Sequence, residues 1–578
     1  MDSGFKMELI LEYSKIFDDE PKLEDLLSGI GRNTLRKIAV FFLGFDNQNS
    51  KFHDPIEFIE MLFCKENIGF VNDVCDKVKA YQNTTQAKII IPYTLTSLTL
   101  FEYAFQHLGE NETLTQVEIE VNVFKACLLI NEVHTIKAHK AFDTVKSIKE
   151  DNYLSELIFT MSYADSDLIN FDPYQILTAQ IVKSIMLFEM LEQDGKATQL
   201  LKAFLDYFEC ANWKDYLKAV LPVALQCIQK RNEAHIDILI EENEHTEQSI
   251  RFFDKLIISD TEELIEHDFT SVRANPIYQV DELTYRVVFP LFAMEMLHKG
   301  LYFKLAAINN SLEDGQISNL KGYYGENFSE NYLLYETMQR MYGKSYKKYT
   351  GEEMKASGLV GEPDYYLRNG NKIFLFESKD VFIRADIKAS FDYTQLEQAL
   401  KEKFYFVDKG KGKIKKKAIL QILFSVKNTL DRTMIVDVDY SEKRVVIYPI
   451  LVTHHHQFDV SGLNNILKEW FKDELGKLGG EGYDVSRVTP LTVINIDDLL
   501  YYQDLFRNKQ ITLEELIDGY HEHTTFNKKK QYRNRAEIDE EVQATLIPFS
   551  TYATKYIGSK QLKIHPNILK EKGFSLFD

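Results

Sequence analysis

Cysteine is scarce and unpatterned in this chain. Its five residues, Cys64, Cys75, Cys127, Cys210 and Cys227, form no Cys-x-x-Cys pair and have no histidine at metal spacing beside them. A zinc ribbon and a disulfide-framed secreted module are thereby excluded, and buried free thiols are expected. Long apolar runs are missing too. Ile38-Ala39-Val40-Phe41-Phe42-Leu43 is too short to cross a bilayer, and Met1-Asp2-Ser3-Gly4-Phe5-Lys6 lacks the basic region and apolar core of a secretory signal. The expectation is a cytoplasmic protein with no membrane partner. The loop from Gly476 to Gly482 does not end in the Gly-Lys-Ser/Thr of a phosphate-binding loop, and His521-Glu522-His523 lacks the spacing of a zinc-protease helix.

What is present is a chain of 578 residues, 45% hydrophobic and 27% charged, the composition of a globular protein too long for one core. Its net charge of −20 is unevenly placed. Residues 1–300 hold 28 Lys and Arg against 49 Asp and Glu, whereas residues 301–578 hold 40 against 39. An acidic first half argues against nucleic acid there; a neutral second half with clustered lysines does not.

The chain is organised around Glu362-Pro363-Asp364-Tyr365-Tyr366-Leu367-Arg368-Asn369-Gly370-Asn371-Lys372-Ile373-Phe374-Leu375-Phe376-Glu377-Ser378-Lys379. Two strand-forming runs flank Asn369-Gly370, which tolerates the positive φ of a tight hairpin turn. A turn there, or at Gly370-Asn371, sets Asp364 opposite or diagonal to Glu377, and alternation gives both the same face. Lys379 shares it. Two carboxylates and an ammonium then meet at one end of the hairpin, with Phe374 and Phe376 on the other face.

At Pro363-Asp364 and Glu377-Ser378-Lys379 the chain resembles the PD-(D/E)xK phosphodiesterase superfamily, over about residues 325 to 500. The resemblance implies a restriction-endonuclease-like mixed sheet flanked by helices, and a nuclease using Mg²⁺ or Mn²⁺. It assigns Asp364 and Glu377 as metal ligands and Lys379 as the group that orients the attacking water. Glu330, in the helix opening at Gly325, matches a further acidic position of the family, although Asn327-Phe328-Ser329-Glu330 also reads as a helix capping box. Glu336 is a second choice for that position, and Gln395 and Gln398 match a polar helix position. A hard cation held by carboxylates suits phosphodiester cleavage whatever the ancestry, because it offsets charge on the phosphoryl oxygens. DNA is the expected substrate. An RNA-directed nuclease and a catalytically inactive binding module stay open.

The remaining organisation follows from periodicity. Residues 1–260 read as an acidic all-α domain, 261–310 as a helical connector interrupted by Pro290, and 311–578 as the nuclease-like α/β domain. The acidic half carries no catalytic constellation, and a regulatory role, a protein partner or homo-oligomerisation is expected of it. The arrangement looks similar to bacterial effectors of defence against phage at the level of fold analogy. The flexible run from Lys409 to Lys417, with Lys411, Lys413, Lys415, Lys416 and Lys417, is expected to meet a phosphate backbone. A second cluster offers Lys529, Lys530, Arg533 and Arg535. Residues 433–438 and 444–453 read as strands, and His454-His455-His456 as an exposed loop, since three consecutive imidazoles cannot all face one metal.

Overall fold

The structure, a computed structural model, describes residues 8–45, 54–106, 111–148, 153–230, 233, 235–258, 267–410, 413–526 and 533–577. It is mixed α/β, and the chain divides into two units, 1–140 with 205–305, and 141–204 with 306–578. The break expected near residue 310 lies close to the division at 305/306, whereas none falls near 260 and two others fall at 140/141 and 204/205. Helix α1, Pro173–Gln193, shows why. Almost every residue from Gln175 to Leu191 is buried, polar ones included. A helix buried on all sides needs a core around it rather than a surface to lie on.

The first unit is largely helical, with helices such as Arg32–Phe45, Ile68–Thr85 and Trp213–Gln229. It is not all-α as expected. Glu8–Ile10 pairs in parallel with Lys88–Ile90, and Asp237–Leu239, Thr284–Val287 and Ile277–Asp281 form an antiparallel sheet in that order. The last two strands replace part of the expected connector. Pro290 opens the helix Pro290–Glu295 at its first position, where its missing N–H is harmless, instead of kinking a longer one. This unit holds 24 Lys and Arg against 39 Asp and Glu, so the acidic surplus stays with it.

The second unit is built on a five-stranded mixed sheet whose spatial order follows the chain: β1 Lys347–Thr350, β2 Tyr365–Asn369, β3 Lys372–Lys379, β4 Val446–Thr453 and β5 Thr492–Asn495. Strands β1 to β3 are antiparallel, and β3, β4 and β5 run parallel. Asn369 faces Lys372, leaving Gly370 and Asn371 as a two-residue turn with Gly370 at φ +60°. On one face Tyr366, Ile373, Leu375, Ile447 and Leu451 meet helices α2 (Tyr393–Leu400), α3 (Ala418–Leu430) and α4 (Leu463–Gly480) through Leu396, Ile422 and Leu467. On the other, Phe374 stacks on Tyr448 with ring centroids 4.7 Å apart. Each such buried ring contributes roughly 2 kcal/mol. With both faces covered, β3 and β4 read as continuous apolar runs.

Two expected elements are corrected. Residues 433–438 form no strand; Asp437 is buried, accepting from Arg368 Nη2 at 3.0 Å and from the Tyr366 hydroxyl at 3.1 Å. A charge that must meet a buried guanidinium cannot sit in a regular alternation. Part of the lysine run is ordered rather than loop: Phe406–Asp408 pairs antiparallel with Ile414–Lys416.

Candidate active site

Tyr365 pairs with Phe376, so one step towards the open end of the hairpin Asp364 stands against Glu377. Alternation sets both, with Lys379, on the face that carries Leu375. Lys379 Nζ donates to Glu377 Oε1 at 2.5 Å and lies 3.9 Å from Asp364 Oδ2. The Ser378 N–H donates to Asp364 Oδ2 at 2.6 Å. Glu377 is wholly buried, and among the described residues its Oε2 has no hydrogen-bond partner.

Glu330 arrives from a helical stretch that starts earlier than expected. Asn319 caps Leu320–Tyr323, and helical turns run on through Tyr324–Leu334, wound with wide i→i+5 bonds, to Tyr335–Met341. Such π-type windings are rare and recur at functional sites. Asn327 is mid-helix, its amide donating to the Tyr323 carbonyl at 2.9 Å, so the capping box does not form. Burial pushes the Glu330 carboxyl up to about 8, helped by Asp364 and opposed by Lys379. Glu377 is likewise pushed to about 8, by burial and then by Asp364, and burial raises Asp364 as well. Burial works against the charge of Lys379, yet Glu377 and Asp364 hold its ammonium above the usual lysine range. Three carboxyls share one ammonium and cannot all ionise near neutral pH. Glu336 is engaged elsewhere, with Arg340 at 3.0 Å. Gln395 and Gln398 are exposed and bond to Asp392 and Glu402.

The histidine run overturns its expectation. It directly follows β4, whose last residue, Thr453, lies beside Lys379 in the parallel register. His454 is buried, with Nε2 2.7 Å from Ser378 Oγ. His455 Nε2 is 2.7 Å from Asp380 Oδ1, and its ring stacks on Phe382. Asp380 also accepts from the hydroxyl of Ser329, the neighbour of Glu330. His456 lies 2.9 Å from Asp497 and 3.2 Å from Asp459, and Asp497 in turn pairs with Lys183 of α1. The carboxyl ends of parallel strands are where ligands enter open α/β sheets. Here those ends gather Lys379, Asp380, three imidazoles and Asp497. Sequence reasoning missed the imidazoles because their partners lie 41 to 76 residues away.

Opposite titrations follow from this geometry. Burial lowers His454 to about 4. For His456 burial is outweighed by Asp459 and Asp497, which raise it to about 10. A histidine charged when folded contributes stability that is complete below its unfolded value of 6.5 and fades as the pH rises towards 10. In urea unfolding, His456→Gln should therefore be most destabilised relative to wild type in mild acid, with the gap closing towards pH 10. A gap that widens with pH would show His456 to be neutral.

Among the described residues no group of three or more His, Cys, Asp or Glu is arranged to hold a metal ion, so a cation at the hairpin would rest on the Asp364 and Glu377 pair. Lys411, Lys529 and Lys530 lie outside the described residues. Lys413, Lys415 and Lys416 are exposed, and Lys417 is half-buried. Arg533 donates to Glu537 at 2.6 Å, and Arg535 opens the helix Arg535–Ala544. A cavity of about 650 Å³ lined by Arg340, Tyr342, Tyr346, Phe506 and Arg507 includes none of the hairpin residues. No described helix is long and apolar enough to cross a membrane. Comparison with protein-family models, with curated proteins and with solved structures finds no match.

Proposed function

We propose that the second unit is a metal-dependent nuclease of the PD-(D/E)xK type, with a restriction-endonuclease-like fold, that hydrolyses phosphodiester bonds in DNA. One observation carries the reading: Asp364, Glu377 and Lys379 converge at the end of a tight hairpin, and Glu330, on a helix more than thirty residues upstream, lies within electrostatic reach of them. A merely structural ion pair needs one carboxylate for one lysine. This site has three.

The residues fit a hard divalent cation, Mg²⁺ or Mn²⁺, because the donors are carboxylate oxygens and Glu377 Oε2 is sealed in without a partner. Such an ion supplies charge against the phosphoryl oxygens and acidifies a bound water. Asp364 and Glu377 would hold it. The backbone N–H of Ser378 fixes the Asp364 carboxylate in place, and the ammonium of Lys379, tied to Glu377, stands ready to orient the attacking water or to meet the developing negative charge. Glu330 adds a third carboxyl to the same field.

The test is cleavage of duplex DNA, single-stranded DNA and RNA with Mg²⁺ or Mn²⁺, beside Lys379→Ala. Metal-dependent scission of DNA is expected, lowered about a hundredfold or more in the variant. If no substrate is cut and neither metal raises the melting temperature, the reading fails and the unit is a binding module. Scission of RNA alone would reassign the substrate.

A further inference from the structure

The lysine run is divided by its own strand. Phe406–Asp408 pairs with Ile414–Lys416, the Lys409 N–H donates to the Lys413 carbonyl at 2.8 Å, and the Lys417 N–H donates to the Tyr405 carbonyl at 3.0 Å. Lys417 is itself extended, at φ −125° and ψ −176°. Alternation then places Lys413, Lys415 and Lys417 on one side and Ile414 and Lys416 on the other. Lys416 lies 5.2 Å from the centre of the Phe424 ring. The side carrying Lys417 faces cations: Lys417 is half-buried within electrostatic reach of Lys415, Lys379, Lys403 and Lys409. Lys403, also half-buried, is within reach of Lys321, whose ammonium lies 5.6 Å from the Phe382 ring. Among the described residues the carboxylate acting on it is Glu402, which accepts from Gln398 at 2.8 Å. Among the described residues, neither Lys403 nor Lys417 has an ion pair or a side-chain hydrogen bond.

A solubilising loop would show fully exposed lysines mixed with carboxylates. Here two ammoniums have lost part of their water and, apart from Glu402 beside Lys403, gained like charge, and burial, then the neighbouring lysines, depress both. That arrangement is unfavourable until an anion arrives. Lysines spread over a strand, a helix end and the edge of the catalytic hairpin suit a polymer with repeated phosphates better than one small ion.

We propose that Lys403 and Lys417, continued by Lys321, Lys409 and Lys415, form a track that grips the phosphate backbone of a nucleic-acid strand and leads it past Lys379, and that Lys416 takes no part. The proposal rests on the nuclease reading for the identity of the polyanion. Ammonium-to-phosphate contacts read no bases, so the grip is independent of sequence.

The test uses the full chain in EDTA, where nothing is cut, with labelled duplex DNA, single-stranded DNA and RNA titrated over a range of salt. Lys403→Gln/Lys417→Gln is compared with Lys416→Gln and wild type. The double variant should bind at least about tenfold more weakly, with its salt slope on duplex reduced by about 2, one for each lost phosphate contact. Lys416→Gln should bind as wild type does. Relief of like-charge repulsion should leave the melting temperature of the double variant equal to or above that of wild type, which separates lost contacts from lost fold. Wild-type affinity and slope in the double variant, or an equal loss in Lys416→Gln, overturns the proposal. If the track variants weaken binding while wild type cuts nothing with metal, the track stands and the nuclease reading falls. If wild type cuts and the variants bind normally, the reverse holds.

Discussion

Glu377→Gln is expected to abolish metal-dependent cleavage, by about a thousandfold or more, while making the metal-free protein more stable in mild alkali. The loss follows because an amide cannot supply the anionic oxygen that a hard cation needs. The gain follows from the titration. Glu377 is wholly buried and its carboxyl is raised from 4.5 to about 8, burial being the main cause. Between these values the unfolded chain has released a proton that the folded chain keeps, so stability falls as the pH rises through that window. Glutamine has no proton to lose. Its advantage over glutamate should grow from about pH 4.5 to about pH 8, reaching a melting-temperature gain of the order of 5 °C at the upper end. Calorimetry in EDTA at both ends of the window, beside a cleavage assay, checks this. A variant less stable than wild type at both ends would mean that Glu377 is ionised and serves Lys379 as an ordinary structural ion pair.

Lys183→Met should be the most damaging substitution outside the hairpin. Lys183 and Asp497 are 3% and 1% exposed, and Asp497 also holds His456 at 2.9 Å. Methionine fills the space of the lysine stem but leaves a buried carboxylate short of its main counter-charge, a change that costs about 3–5 kcal/mol. For a unit of this size that lowers the melting temperature by roughly 5 °C. Adding Asp497→Asn should restore much of the loss, since the orphaned charge is the cause rather than the missing contact. Differential scanning fluorimetry of the single and double variants measures it. A Lys183→Met protein that melts with wild type would show that water reaches Asp497.

The hairpin was legible because all of its determinants are local: a two-residue turn, alternation on either side, and a count of residues that sets Asp364 against Glu377. Glu330 was half legible. Its helix was visible, but the earlier start at Leu320 and the wide winding that denies Asn327 a capping role have no local signature. His454, His455 and His456 look like solvated loop in sequence because imidazoles announce no partner. Their partners, Ser378, Asp380 and Asp497, are supplied by neighbouring strands and the segment after β5. In residues 433–438 alternation pointed to a strand, and the buried Arg368 prevailed by claiming Asp437. The membership of α1 was in principle visible, since Ile176, Leu177, Ile181, Val182, Ile185, Leu187 and Phe188 leave no polar stripe.

The interleaving of the two units has a consequence for biosynthesis. Residues 141–204 leave the ribosome before 205–305, yet the rest of their unit, 306–578, is made after both. Lys183 must wait for Asp497, its buried partner. A nascent chain can therefore complete the acidic unit while α1 still lacks most of the residues of its own unit. For the same reason, cutting away the first 260 residues would not free an intact second unit; it would remove α1 from the middle of it.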